Sequence, residues 1–432
     1  MLPPAISPLP QQAAIVARWS ADAIAPQADN TALASWADSV GGLAAAQATS
    51  AAQPKYRTGG AGGKPYVLFS GAQYLDAGTA NAVATACQTK TSSVLVVCRN
   101  VQASQYGYLF SASNVTGYCL FASGARVGVF TTGQIPYSGA GLTTVGYTAG
   151  LPDQYSGRYY INGTCCSQIG ALQSAAGHNV GIGGAPATPS TAAKAEIYDV
   201  IVWNRALTAF EMMQAEKWAR DKYSSPYPWA GGAFRVFHGD SLTAGYGMPA
   251  RAEETYPAQV AAANGWPFGS WTNLGYVGTT MAVMRAAATA EIDPMLAVLG
   301  DTPMHLATWE WYNQRNATVA GQYGSTGITE SYFRARRAAG VAKLVLMTSI
   351  DAADPVDNPT NRAAYNAYFD ANHGSSICDA YIPIHTIPEI GVEGACPNAA
   401  PYDPYFQGDG IHLNAAGNAV LAAAVAPVMA GL

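Results

Sequence analysis

Charge is what this chain has least of. Only 11% of its 432 residues are Asp, Glu, Lys or Arg, against about 25% in an average soluble protein. The 22 basic and 27 acidic residues leave a net charge of −5, so there is no basic footprint for nucleic acid. No Lys/Arg-rich amphipathic stretch points to a membrane surface. No run of 18 apolar residues occurs, so no membrane-spanning helix and no membrane insertion are expected. Cysteine is also sparse. The seven (Cys87, Cys98, Cys119, Cys165, Cys166, Cys378 and Cys396) are odd in number and form no CxxC, which argues against a zinc ribbon or a thioredoxin-type motif. Cys378 and Cys396 stand as either a loop-closing disulfide or two thiols, because spacing alone does not fix disulfide geometry. No HExxH or equivalent metal spacing is present. Gly181-Ile182-Gly183-Gly184 lies outside any strand–helix–strand unit and reads as a sandwich turn. No metal and no cofactor are therefore expected. The opening Met1-Leu2-Pro3-Pro4-Ala5-Ile6-Ser7-Pro8 lacks the basic start of a signal peptide and is broken by prolines. The expectation is a protein that is cytoplasmic, exported by another route, released by lysis, or processed.

What is present divides the chain in two. A length of 432 residues exceeds one ordinary domain. After an N-terminal arm over 1–13, the stretch 14–223 is β-rich. Short β-branched and aromatic runs such as 65–69, 92–98, 107–111, 126–131, 156–162 and 195–203 alternate with Gly, Ser, Asn and Thr clusters, which predicts a sandwich. It closes on a helix whose first turn carries Thr208 and, three residues on, Glu211, as in a capping box. Residues 224–233 hold two prolines and two glycines and read as a linker. From 234 on the pattern changes. Apolar runs at 234–237, 271–274, 305–308, 342–347 and 380–383 alternate with helical stretches at 253–263, 280–292, 329–339, 361–371 and 415–429. That alternation predicts a parallel sheet covered on both faces.

Two motifs in this second half carry chemistry. Gly239-Asp240-Ser241-Leu242 follows the strand at 234–237, and Asp409-Gly410-Ile411-His412 precedes the last helix. A serine on a sharp turn after a strand is well placed to be a nucleophile, but its hydroxyl needs an adjacent base. His412 can take that proton and return it to the leaving group. Asp409 can hold the imidazole in one tautomer and stabilise its cation. Asp240 reads as a residue that shapes the turn. His238, His305, His373 and His385 are scattered and read as satisfied polar residues.

With these residues in view, residues 234–432 resemble the SGNH, or GDSL-type, hydrolases. Gly239-Asp240-Ser241-Leu242-Thr243 is similar to that family's nucleophile block. Asn273-Leu274-Gly275-Tyr276-Val277-Gly278-Thr279-Thr280 is similar to its second block, and Asp409-x-x-His412 to its last. The resemblance implies a three-layer α/β unit with a flavodoxin-like parallel sheet and hydrolysis of an ester. Ser241, Asp409 and His412 would be the triad. Gly278 and the Ser241 amide would be oxyanion donors. The third block departs from the pattern: Trp309-Glu310-Trp311-Tyr312-Asn313-Gln314 stands where the family has Gly-x-Asn-Asp. Asn313 aligns with the oxyanion asparagine, with Asn316 as the alternative if the loop is shifted. Trp309, Glu310 and Trp311 are candidate substrate contacts. The two tryptophans either stack on a sugar or fill the core, and Glu310 is either a pocket acid or structural.

The first half is similar, in patterning, to concanavalin A-like (laminin G-like) jelly rolls. This rests on Trp36-Ala37-Asp38-Ser39, on the stretch 67–75, on Asn179-Val180-Gly181-Ile182-Gly183-Gly184 and on 195–208. Such modules often bind carbohydrate. Trp19, Trp36, Tyr56, Tyr106, Tyr108, Tyr159 and Tyr160 are either stacking platforms or core, and no acidic cluster marks a calcium site. Together the halves imply a multi-domain protein, an all-β jelly-roll sandwich followed by an α/β hydrolase. The expected activity is a serine esterase, in its best-fitting form an O-acetylesterase acting on an acetylated polysaccharide. The setting would be extracellular or virion-associated, such as a phage tail, with virion or homo-oligomer assembly open. The alternatives are a non-catalytic glycan-binding adhesin on a hydrolase scaffold and a short-chain lipase or thioesterase.

Overall fold

The computed structural model describes residues 6–88, 91–112, 119–124, 126–129, 133–136, 141–149, 157–169, 179–248, 251–316, 321, 327–353, 357–374, 376–396 and 403–432. The chain forms two compact units. One is Met1–Gly163 with Gln168–Tyr227, and the other is Thr164–Ser167 with Pro228–Leu432.

The first unit is built from antiparallel strands. The principal ones are β1 (Ile15–Ser20), β2 (Tyr66–Ser70), β3 (Ser93–Ser111), β4 (Cys119–Gly124), β5 (Thr143–Ala149), β6 (Gly157–Ile161) and β7 (Lys194–Trp203). The runs expected at 92–98 and 107–111 are one strand of 19 residues, β3. Its first half pairs with β7, from Trp203↔Ser93 to Lys194↔Gln102, and with β5. Its second half pairs with β4, with register shifts between Ala103 and Gly107 and between Tyr108 and Phe110. Such irregularities bend a strand, and β3 accordingly passes from one sheet into the next. Val94 to Cys98 are buried without alternation, the mark of a strand covered on both faces.

The closing helix α1 (Ala209–Lys222) starts as its sequence dictates. Glu211 N–H donates to Thr208 Oγ1 at 3.2 Å and Thr208 N–H to Glu211 Oε2 at 2.8 Å, an N-cap worth about 1 kcal/mol. The end of α1 is tied to the strands through Asp199 on β7. This fully buried carboxylate accepts from Lys222 Nζ at 2.8 Å, Arg18 Nε at 3.3 Å and the Tyr223 hydroxyl. Trp19, Trp36, Tyr56, Tyr108, Tyr159 and Tyr160 are all buried, so these aromatics pack the core and present no face to a sugar. The side chain of Tyr106 lies outside the described residues.

The second unit has a five-stranded parallel sheet in the order β9-β8-β10-β11-β12. The strands are β8 (Phe234–Gly239), β9 (Trp271–Gly275), β10 (Met304–Trp309), β11 (Lys343–Met347) and β12 (Ala380–Ile382). Between them run α2 (Ser241–Ala244), α3 (Tyr256–Ala263), α4 (Met281–Glu291), α5 (Ile328–Ala339) and α6 (Pro359–Asn372), and α7 (Ala415–Ala430) closes the chain. The single helix expected over 253–263 is divided. Thr255 is extended and the helix restarts at Tyr256, where Pro257 has no N–H to give to a continuous ladder. Phe237, Ala307, Val345 and Ile382 of the sheet share a core with Leu421 and Val425 of α7. The disulfide alternative for Cys378 and Cys396 is not realised. Both are free, the Cys378 thiol donating to the His373 carbonyl at 3.0 Å and the Cys396 thiol to that of Gly410 at 3.4 Å.

Candidate active site

Open parallel sheets gather ligands at the carboxyl ends of their strands, and Gly239, Gly275 and Trp309 end three adjacent strands there. Gly239 must be glycine. A Cβ on it would lie 2.1 Å from Thr243 Oγ1 and 2.4 Å from the Trp309 carbonyl oxygen. The chain then turns sharply. Asp240 caps α2 by accepting from Leu242 N–H at 2.9 Å, and Ser241 is the first residue of that short helix.

Ser241 and His412, 171 residues apart, meet at 2.8 Å between Oγ and Nε2. His412 Nδ1 lies 2.6 Å from Asp409 Oδ2. The other carboxylate oxygen, Oδ1, accepts the N–H groups of Ile411 and His412, each at 3.0 Å. The aspartate is thus fixed by its own turn. Burial works to raise its pKa, but the His412 side chain and these two N–H groups outweigh it and bring the carboxyl down to about 2. An ionised Asp409 places the imidazole proton on Nδ1 and leaves Nε2 free to accept from the serine hydroxyl. The arrangement can therefore activate Ser241 and stabilise the imidazolium that forms.

Two neighbouring loops reach the same turn, the first through Tyr276 N–H, which donates to the Gly239 carbonyl at 2.9 Å. The Tyr276 carbonyl accepts from Thr279 N–H at 3.3 Å, and Gly278, third in that turn, has φ +73°, a left-handed position that favours glycine. Among the described residues, neither Ser241 N–H nor Gly278 N–H makes a backbone hydrogen bond. Asn313 lies in a single 3-10 turn after β10, and its Nδ2 donates to Asp240 Oδ2 at 3.1 Å. Asn316 instead accepts from Asn358 at 3.1 Å, so the structure brings Asn313, not Asn316, to the nucleophile turn. Trp309 and Trp311 are buried. The Trp309 indole N–H donates to the Thr348 carbonyl at 2.7 Å, and the Trp311 ring packs against Tyr365. Neither offers a stacking face. Glu310 is 1% exposed and accepts the N–H groups of Met281 and Asn313.

Two contributions have no local sequence signal, and a third goes beyond the turn-shaping role expected of Asp240. Tyr246 lies with its ring centroid 4.5 Å from that of His412. Gln407 donates its backbone N–H to the His412 carbonyl and its Nε2 to the Tyr246 carbonyl, both at 2.7 Å. Asp240 caps α2 and holds Asn313 at once. Burial raises the Asp240 carboxyl, and with Leu242 N–H and the His412 charge opposing, its pKa settles at about 6. Among the described residues no group of three or more His, Cys, Asp or Glu could hold a metal, and no helix is long and apolar enough to cross a membrane.

No family model matches the chain, and no curated protein does. Among solved structures, TesA is 20% identical over 45% of this chain and 97% of its own, with a TM-score of 0.34. The lipase/acylhydrolase from Enterococcus faecalis is 19% identical over 46% and 96%, with a TM-score of 0.33. A Trypanosoma rangeli sialidase in complex with sialic acid is 12% identical over 52% of this chain, with a TM-score of 0.35, and this chain spans only 37% of its length. The chemistry proposed below rests on the geometry of Ser241, His412 and Asp409, not on these likenesses.

Proposed function

We propose that the protein is a serine esterase of the SGNH type, and that it removes O-acetyl groups from a polysaccharide. The observation that carries the reading is the 2.8 Å contact of Ser241 Oγ with His412 Nε2, backed by Asp409 at 2.6 Å. Ser241 Oγ attacks the ester carbonyl carbon while its proton passes to His412 Nε2. The carbonyl oxygen becomes an oxyanion facing Ser241 N–H, Gly278 N–H and Asn313 Nδ2. Collapse breaks the ester C–O bond, and His412 returns the proton to the departing sugar oxygen. Water, deprotonated by His412, then attacks the acetyl-serine, releasing acetate and restoring Ser241.

A short acyl group is supported by Trp311, a packed indole where the resembling family has glycine. A glycan is supported by the concanavalin A-like patterning of the first half, which serves in this reading as a binding or spacer module. An extracellular or virion setting fits the same pairing, and immunogold labelling of the particles or medium of the producing culture tests it. Absence of label from both would overturn it. The activity is tested by release of p-nitrophenol from acetate, butyrate and octanoate esters, wild type beside Ser241→Ala. Turnover that falls with chain length and vanishes in the variant is expected, followed by acetate release from acetylated polysaccharides. Equal rates in the two proteins would overturn the serine mechanism. A preference for octanoate would favour a lipase.

A further inference from the structure

Glu310 is a carboxyl group in a place that ought to exclude one. It follows the last residue of β10, is 1% exposed, and lies close enough to the buried Asp240 for that carboxylate to disfavour its ionisation. Burying a carboxyl is unfavourable unless its oxygens are hydrogen-bonded. Both are. Oε1 accepts Asn313 N–H at 3.1 Å and Oε2 accepts Met281 N–H at 3.1 Å. Met281 is the first residue of α4, three residues beyond Gly278. One side chain thus ties together the two loops that carry the outer oxyanion donors. Asn313 is held twice, by Glu310 at its backbone and by Asp240 Oδ2 at its amide.

We propose that Glu310 is a positioning residue that sets the spacing between Gly278 N–H and Asn313 Nδ2 in the oxyanion hole. This rests on the esterase reading above and deepens it. The reason lies in the altered third block. Trp311 fills the core where a glycine would let the loop close on itself, so Asn313 needs another anchor. A glutamate two residues after Thr308 on β10 reaches both loops. Its charge state suits the task. Burial, then the neighbouring Asp240, push the Glu310 carboxyl well above the usual carboxylate range, toward its uncharged form. A second anion behind the forming oxyanion would oppose the charge that the donors are there to stabilise. Asp240 is the anion of the pair above about pH 6, and as an acceptor it fixes which Asn313 hydrogen remains for the substrate.

The test uses the full chain with p-nitrophenyl acetate, and compares wild type, Ser241→Ala, Glu310→Gln, Asn313→Ala and the Glu310→Gln/Asn313→Ala pair. Glutamine keeps the shape but can accept only one of the two N–H groups. The expected result is a fall in kcat of roughly 10–100-fold with KM within about 3-fold, short of the 100–1,000-fold typical of removing a donor outright. The inhibition constant of phenylboronic acid, whose adduct on Ser241 places an oxygen in the hole, should rise with it. In the double variant the losses should fall short of multiplying, because part of what Glu310 does is to place Asn313. Wild-type kcat in a folded Glu310→Gln protein, or multiplying losses, would overturn the inference while leaving the serine mechanism standing. An active Ser241→Ala would remove the mechanism itself. If Glu310→Gln does not fold, the structure of the wild-type phenylboronate adduct decides. Its oxygen should lie within hydrogen-bond distance of both Gly278 N and Asn313 Nδ2, and an oxygen bonded to neither would overturn the proposal.

Discussion

Gln407 Nε2 donates to the Tyr246 carbonyl at 2.7 Å, which ties the loop bearing His412 to the turn bearing Ser241. The same nitrogen donates to the Leu413 carbonyl at 2.9 Å, and the Gln407 carbonyl accepts from Gly410 N–H. A Cβ at Gly247 would come within 2.1 Å of Gln407 Oε1, so the side chain lies against backbone that only glycine leaves open. Ser241 and His412 belong to separate segments, and their 2.8 Å contact needs such a clamp. Gln407→Glu keeps the size but removes both donors. We expect kcat on p-nitrophenyl acetate to drop roughly 10–100-fold, since a misplacement of about 1 Å can cost that much. Circular dichroism of the variant should remain that of wild type. An unchanged kcat would show that the loops hold their register without it.

Asp409→Asn separates charge from position. The amide can occupy the same turn, but its NH2 or carbonyl no longer selects the Nδ1–H tautomer, and the imidazolium loses its counter-charge. By analogy with triads in general, kcat should fall about 100–10,000-fold. Because the Asp409 carboxyl is held at about 2, it stays ionised throughout the working range. Loss of activity between pH 4 and 7 in wild type should therefore not follow Asp409. The pH–rate profiles of wild type and Asp409→Asn should show no acidic limb near pH 4 that is present in one and absent in the other.

Local chemistry was legible in the chain, and distant pairing only where both ends carried a local signal. The Thr208–Glu211 capping box is written within four residues and forms as read. The strand–turn–serine signal at 234–241 and the aspartate three residues before His412 are equally local, so a contact across 171 residues could be anticipated from its two ends. Gln407 and Tyr246 are 161 residues apart with nothing in either segment to mark them. Glu310 was visible only as a departure, since its partners are backbone N–H groups that no side-chain pattern reveals. The continuity of β3 was hidden by the polar stretch 99–106, which interrupts the apolar run without ending the strand. The fates of Trp309 and Trp311 turned on burial, which an aromatic residue in a loop does not disclose.

Cys378 and Cys396 give a redox prediction. Each thiol is buried, and burial foremost pushes the Cys378 thiol up to about 11 and that of Cys396 to about 12. Thiolate is the reactive form, so neither should react with a thiol reagent in the native protein. The melting temperature should be the same with and without dithiothreitol, and both thiols should titrate with Ellman's reagent only after denaturation. A reductant-dependent drop of several degrees would reveal a bridge between them.

His305 and Asp240 should pull stability in opposite directions over the same pH window. Burial, with Arg235 and Lys343 nearby, pushes His305 down to about 4, whereas the unfolded side chain takes its proton near 6.5. Between those values the unfolded chain binds more protons, so this contribution to stability is lost as pH falls from about 6.5 to 4. Asp240 is raised to about 6 from 3.8. Here the folded state binds more protons, so its contribution is present at low pH and lost as pH rises through about 6. His305→Gln removes the first effect and leaves the second. The melting temperature at pH 5, relative to pH 7.5, should therefore be higher in His305→Gln than in wild type, and lower in Asp240→Asn. Scanning calorimetry of the three proteins at both pH values measures it. Shifts of the same sign in both variants would mean that the two groups do not carry these opposed proton linkages.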